Sequence, residues 1–349
     1  MLFTDPHRRT HLAGQRYGSN HEVTEVLKKI LLVLAAIVLI SNWTWARLPA
    51  KPTTGGQYAS VLDRSLHYSE TKADLLHTGS LPVVLIHGMP GTYLDFEKVV
   101  PMLKGYRTIS IDRPNYGWSS GGTLDYQSQL AAIHELLVQK GIKQAIFVGH
   151  SFGGSLSLGM AIRYPKDVAA MVLAAPGAGG HKPSLTRKLQ ARFTQVLMLP
   201  VIRQVSALTF SNVALHVSAT TGAKQAFSPL PVNPVYQERT LAVAVKPNSL
   251  KAFSNDAIGY PDVSDWLVEN VPQIRTPSTT ISATGDELIP IENGRNLSKA
   301  LLGTKFIPVS GGHMVPYSHP DVIAREVKRF ELFARAKRLS RLLQAVSAN

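Results

Sequence analysis

Residues 145–154 read Ala145-Ile146-Phe147-Val148-Gly149-His150-Ser151-Phe152-Gly153-Gly154. An apolar run gives way to a glycine-flanked serine, and a helical pattern follows over residues 155–164, stopped by Pro165. A strand that becomes a helix within about five residues must reverse sharply. Glycine at 149 and 153 keeps the two elements from colliding. The turn lifts the Ser151 hydroxyl clear of the sheet edge. It also aims the Phe152 N–H at the same space, at the positive end of a helix.

The same rhythm recurs on either side. Short apolar or β-branched runs at 81–86, 108–111, 171–175, 279–282 and 306–309 end at or near His87-Gly88, Asp112, Pro176-Gly177, Gly285-Asp286 and Gly311-Gly312. Residues 127–139 place Leu130, Ile133, Leu136 and Leu137 on one helical face. Alternating units of this kind predict an α/β fold with a mostly parallel central sheet flanked by helices. Functional residues then belong in loops beyond the carboxyl ends of the strands.

Residues 180–275 break the rhythm, and a structureless loop of that length is unusual in a compact domain. Helices are expected near 185–198 and 200–208. We read 180–275 as an inserted helical cap, with 58–179 and 276–349 as the core. From His181 to Leu230 the chain carries Lys182, Arg187, Lys188, Arg192, Arg203 and Lys224 and no Asp or Glu. The final helix, from about Asp321, is also basic. Each reads as a solvated surface, with contact to anionic lipid or an acidic substrate group as the alternative.

With 349 residues, the chain exceeds one simple core, in keeping with an insertion. Hydrophobic residues make up 44% and charged residues 17%, which excludes a disordered or collagen-like chain. The absence of cysteine excludes disulfides, thiolate metal sites and cysteine nucleophiles. Lys+Arg exceed Asp+Glu by 37 − 23 = 14. No zinc-finger spacing or aromatic-interleaved basic tract accompanies that charge, so a nucleic-acid partner is not expected.

Residues 30–40 are unbroken apolar sequence, continued by the softer stretch 41–46 with Trp43 and Trp45. Arg8, Arg9, Arg16, Lys28 and Lys29 precede the run, whereas only Arg47 and Lys51 closely follow it. This pattern predicts a cytoplasmic segment (1–25) and a single-pass transmembrane anchor (26–47). A linker (48–57) and an extracytoplasmic catalytic domain, periplasmic in a Gram-negative cell, would follow. A cleaved signal peptide is the rival, against which stand the long basic region and the poor cleavage match at Thr44-Trp45-Ala46.

A serine hydroxyl is a weak nucleophile and needs a base. Among twelve histidines, His313 follows the last strand in a Gly-Gly-His loop at the expected edge. His319 lies six residues on, His87 suits a loop-ordering role, and His150 should point away into the packing below. The base needs a carboxylate to hold its tautomer. Asp286 follows the preceding strand, with Glu287 as its neighbouring rival, while Asp112 reads as a loop brace. The order Ser151, Asp286, His313 is the one this strand–turn–helix architecture uses. The second oxyanion donor should lie in His87-Gly88-Met89-Pro90-Gly91, where Pro90 has no N–H and Met89 N–H remains. This chemistry calls for no metal and no organic cofactor.

HGMPG at 87–91, DRPNYGWS at 112–119, GHSFGG at 149–154, and GDELIP with GGH at 285–290 and 311–313 occur in that order. Together they resemble the α/β-hydrolase fold superfamily of the capped type, over residues 57–338. The first two motifs are similar to those of epoxide hydrolases and haloalkane dehalogenases, which use an aspartate nucleophile where this chain has Ser151. Met89 departs from the H-G-G-P-G of proline iminopeptidases. The resemblance implies a serine esterase, a lipase-like acylhydrolase or a carbon–carbon bond hydrolase acting on a small or lipid-like acyl substrate. Perhydrolysis and a non-catalytic binding protein on the same fold are the alternatives.

Overall fold

The computed structural model describes residues 23–37, 39–40, 56–178, 189, 196, 220–244 and 246–347. Its strands are β1 (Gly56–Val61), β2 (Arg64–Thr71), β3 (Val83–Ile86), β4 (Thr108–Ile111), β5 (Ala145–His150), β6 (Val168–Ala174), β7 (Ser278–Ala283) and β8 (Lys305–Val309). They form one sheet in the order β1-β2-β4-β3-β5-β6-β7-β8. From β4 to β8 every pairing is parallel, whereas β1/β2 and β2/β4 are antiparallel. The principal helices are α1 (Tyr126–Gln139), α2 (Phe152–Arg163), α3 (Pro234–Ala244), α4 (Pro247–Asn270), α5 (Ile291–Ala300) and α6 (Pro320–Ser347).

Both sheet faces are covered, so all of β3 is buried although its side chains alternate in direction. Val84, Ile86, Ile109, Ile111 and Phe147 join Leu130, Ile133 and Leu137 of α1 in one apolar cluster. Val83, Leu85, Ile146, Val148 and Val172 join Ile323, Val327 and Phe330 of α6 in another. Register then places the functional edge: Ile86 lies opposite Ile111 and Gly149, His150 opposite Ala174, and Ala283 opposite Val309. The loops that follow these residues therefore emerge on one side of the sheet.

Several expectations need adjustment. The strand β1 begins at Gly56, inside the linker expected over 48–57. Helix α2 starts at Phe152, directly after the serine and three residues earlier than its apolar pattern suggested. In the cap interval, residues 220–227, α3 and α4 are helical, and the helices expected near 185–198 and 200–208 fall almost wholly outside the described residues. In the N-terminal region residues 23–37 are helical, with Leu31 and Leu32 exposed and Lys28 paired with Glu25 at 2.8 Å. No helix among the described residues is long and apolar enough to cross a membrane, so the expected anchor over 26–47 gains no support. Glu25, Lys28 and Lys29 charge the start of this helix, and residues 41–47 of the expectation lie outside those described.

The loop after β3 is braced by a buried histidine. His87 Nε2 accepts the Arg113 backbone N–H at 2.9 Å, and Nδ1–H donates to the Gly88 carbonyl at 2.9 Å. Both bonds suit one neutral tautomer. Burial, and next the Arg113 charge, lower the pKa of His87 from 6.5 to about 4. Between those two values the unfolded chain binds a proton that the folded chain refuses, so stability falls as pH falls. At about 1.4 kcal/mol per pH unit the loss approaches about 3 kcal/mol. His87→Gln is therefore expected to flatten the decline of urea-unfolding stability between pH 6.5 and 4. An acid limb as steep as wild type would show that another group is responsible.

Candidate active site

The turn between β5 and α2 is sterically closed to side chains. A Cβ at Gly149 would lie 2.3 Å from the Gly153 carbonyl oxygen, and one at Gly153 would lie 2.0 Å from the Ile86 carbonyl oxygen. Between them Ser151 adopts φ 53° and ψ −119°, a conformation that L-residues rarely take. Its N–H donates to the Ala174 carbonyl at 3.0 Å, and its own carbonyl accepts the N–H groups of Gly154 and Gly177 at 2.9 and 3.0 Å. The strained residue is thus held from both sides, with the start of α2 immediately beyond it.

His313 and Asp286 converge from separate strand ends. Asp286 Oδ2 accepts from His313 Nδ1 at 2.7 Å, and Oδ1 accepts the N–H groups of Leu288 and Ile289 at 2.9 and 2.8 Å. Burial alone would raise the carboxyl pKa. The positive charge and hydrogen bond of His313, with the two N–H donors, outweigh it and hold the group below its ordinary range. When His313 is neutral, a carboxylate accepting from Nδ1–H leaves the lone pair on Nε2, the form required of a general base, and the same carboxylate stabilises the imidazolium once Nε2 is protonated. Glu287, the sequence rival, is exposed and bonds Ser228 Oγ at 3.4 Å.

His150 does not point away into the packing as expected. Its Nε2–H donates to the His313 carbonyl at 3.0 Å, and the two rings lie 4.9 Å apart. The residue beside Ser151 therefore holds the backbone of His313. On its other side Nδ1 stands 3.9 Å from Asp95 Oδ2. His319 sits apart and bonds the Ser310 carbonyl at 2.7 Å. Asp112 takes N–H donors from Tyr93 and Trp118 and a bond from His67 Nδ1, each within 2.9 Å, the loop-bracing role expected of it.

The HGMPG loop reaches the serine directly. A Cβ at Gly88 would lie 2.8 Å from Ser151 Cβ and 3.3 Å from Ser151 Oγ. Next to it Met89 is partly buried and packs on the apolar cluster that includes Phe152. Ser151, Asp286 and His313 are themselves buried, at 8%, 7% and 6% exposure. Such a setting strengthens hydrogen bonds to developing charge.

Sequence reasoning missed the contacts that α3 and α4, within the interval expected to form a cap, make with this region. Tyr260 of α4 donates its hydroxyl to the Gly177 carbonyl, and Tyr236 of α3 donates to Asp95 Oδ1 at 2.9 Å. Asp256 of α4 pairs with Arg113 at 2.7 Å, both side chains almost wholly buried. No local motif marks these cap residues. The only available signal was Arg113, within DRPNYGWS.

The sequence profile described as alpha/beta hydrolase fold matches residues 82–320. The chain is 26% identical over 266 residues to Lipase 1 of Psychrobacter immobilis, covering 74% of this chain and 78% of that protein. It is 24% identical over 266 residues to the 2-hydroxy-6-oxononadienedioate/2-hydroxy-6-oxononatrienedioate hydrolase of Escherichia coli K12, covering 72% of this chain and 87% of that protein. The enol-lactonase from Burkholderia xenovorans is a structural neighbour, with TM-score 0.64 and 21% identity over 78% of this chain and 99% of that one. Given a profile match over most of its length, from the loop-bearing strand β3 to the start of α6, the chain belongs to the alpha/beta hydrolase fold family.

Proposed function

We propose that this hydrolase cleaves an acyl bond, in the first instance a carboxylic ester, through Ser151, His313 and Asp286. The observation that supports the reading is the strained Ser151 at the start of α2, whose neighbour His150 bonds the backbone of His313, while His313 pairs with Asp286 at 2.7 Å. The Ser151 oxygen attacks the acyl carbon as His313 Nε2 takes its proton, and the carbonyl electrons move onto oxygen. The N–H groups of Met89 and Phe152 hold that oxyanion. Collapse breaks the bond to the leaving alcohol, which receives the proton from His313. Water then attacks the acyl-enzyme by the same route, and the acid is released. Asp286 orients His313 and balances its transient charge.

Similarity to a relative named for a 2-hydroxy-6-oxo dienedioate favours a second reading on the same residues. That name contains no ester or amide, so its hydrolysis must break a carbon–carbon bond. As a further part of the proposal, residues 26–47 anchor the chain in a membrane with the catalytic domain outside the cytoplasm. The apolar run at 30–40 and the basic residues before it support this placement.

A fluorophosphonate probe is expected to label wild type and not Ser151→Ala. Turnover of p-nitrophenyl butyrate by that variant should fall by on the order of 10⁵-fold with Tm little changed. Asp286→Asn should lower kcat by on the order of 10⁴-fold. Folded wild type that resists the probe would defeat the reading. A panel of esters and vinylogous diketones should favour the esters, and preference for the diketones would install the carbon–carbon reaction instead. Carbonate washing should leave the full-length protein with membranes, and its release would defeat the anchor.

A further inference from the structure

Arg113 is fully buried, and its guanidinium meets several elements at once. Nη1 donates to Asp256 Oδ2 of α4 at 2.7 Å and to Gln129 Oε1 of α1 at 2.9 Å. Nη2 donates to the Gly88 carbonyl at 2.7 Å. The guanidinium carbon lies 4.3 Å from the ring centre of Tyr116 and 4.7 Å from that of Phe152. Asp256 receives two more bonds, from the Tyr116 hydroxyl and the Gln129 amide, both at 2.8 Å. A buried ion pair of this kind adds little net stability over apolar residues of similar volume, because both charges are desolvated. Core filling alone is a weak reason for it.

Its contact with Gly88 supplies a stronger one. The Gly88 carbonyl and the Met89 N–H belong to one trans peptide unit, so they point in opposite directions. Arg113 Nη2 and His87 Nδ1 hold the carbonyl from one side, at 2.7 and 2.9 Å. That fixes the direction of the Met89 N–H on the other side. A charged donor on the carbonyl also polarises the peptide and strengthens its N–H as a donor. We propose that Arg113 is a positioning residue that aims and polarises the Met89 N–H, and that Asp256 couples the cap helix α4 to this setting. The inference rests on the reading of Met89 as an oxyanion donor.

The test uses two variants of the full chain. Arg113→Lys keeps the charge beside Asp256, but one ammonium cannot reproduce the planar fork toward Gly88, Gln129 and Asp256. Arg113→Gln/Asp256→Asn removes both buried charges together, so it restores packing without restoring the charged donor to Gly88. With p-nitrophenyl butyrate, kcat is expected to fall about ten- to hundredfold in both, with KM within about twofold of wild type. Amide hydrogen exchange of the peptide covering residues 87–92 is expected to quicken about tenfold or more, read by mass spectrometry in the folded protein. A role confined to stability would lower Tm and leave kcat and local exchange unmoved. A folded variant with wild-type kcat, or with unchanged exchange at 87–92, overturns the proposal. If Arg113→Lys does not fold, the double variant decides alone. If wild type neither turns over the ester nor takes the fluorophosphonate label, the catalytic reading fails, and exchange at 87–92 alone decides whether Arg113 holds the loop.

Discussion

No atom beyond hydrogen fits on Gly149 or Gly153, and much of the molecule is arranged around that exclusion. Helix α2 crosses so near the end of β3 that a methyl group at Gly153 would strike the Ile86 and His87 carbonyls. This approach forces the reversal at residue 151 and its positive φ. Strain at one non-glycine residue persists only where its surroundings over-determine it. Here the surroundings are a hydrogen bond from Ser151 to the Ala174 carbonyl at the end of β6, and bonds to the Ser151 carbonyl from the N–H groups of Gly154, at the start of α2, and Gly177, beyond β6. The serine is held at the sheet edge because the backbone beneath it cannot relax.

A sheet with both faces covered gives the edge its second property. The apolar clusters on either side fix the strands in register, and the register brings six loop starts to one level. Four of these loops, with the serine turn after β5, carry the residues of the candidate site. The loop after β3 brings Gly88 and Met89, that after β4 the Asp112 brace and Arg113, that after β7 Asp286, and that after β8 His313. Buried polar groups in such a place tend to find partners, here both across loops and within them. His150 bonds His313, His87 receives Arg113, and Asp286 collects two backbone donors as well as the imidazole. Helices α3 and α4 take part through Tyr236, Asp256 and Tyr260, each bonded to a residue near the site.

Most of the core strands were legible, because β3 to β8 are short runs rich in apolar or β-branched residues, most of them followed within a few positions by glycine, histidine or aspartate. The β1–β2 hairpin was not. Its two-residue turn is Leu62-Asp63, both at positive φ, and it lacks the Asn-Gly or Asp-Gly signature that such turns usually show. The start of α2 was placed late because Phe152-Gly153-Gly154 carries weak helical signal; close packing against β3 and β5, not propensity, makes it helical. His150 was misjudged for a related reason. Strand alternation indicates a face but not what a neighbouring loop places there.

Local sequence was enough to establish the class of fold, the serine at the strand–helix turn, and the loops that carry the paired His313 and Asp286. Those are matters of short-range sterics and periodicity, in which a few residues determine their own backbone. Tertiary structure alone decided that Asp286 rather than Glu287 reaches His313, that His150 grips the same loop, and that Arg113 joins Gly88 to Asp256 of α4. These pairings span up to 163 positions in the chain. They follow from how buried polar groups find partners once the sheet has set its edge, and no adjacent residue encodes that choice.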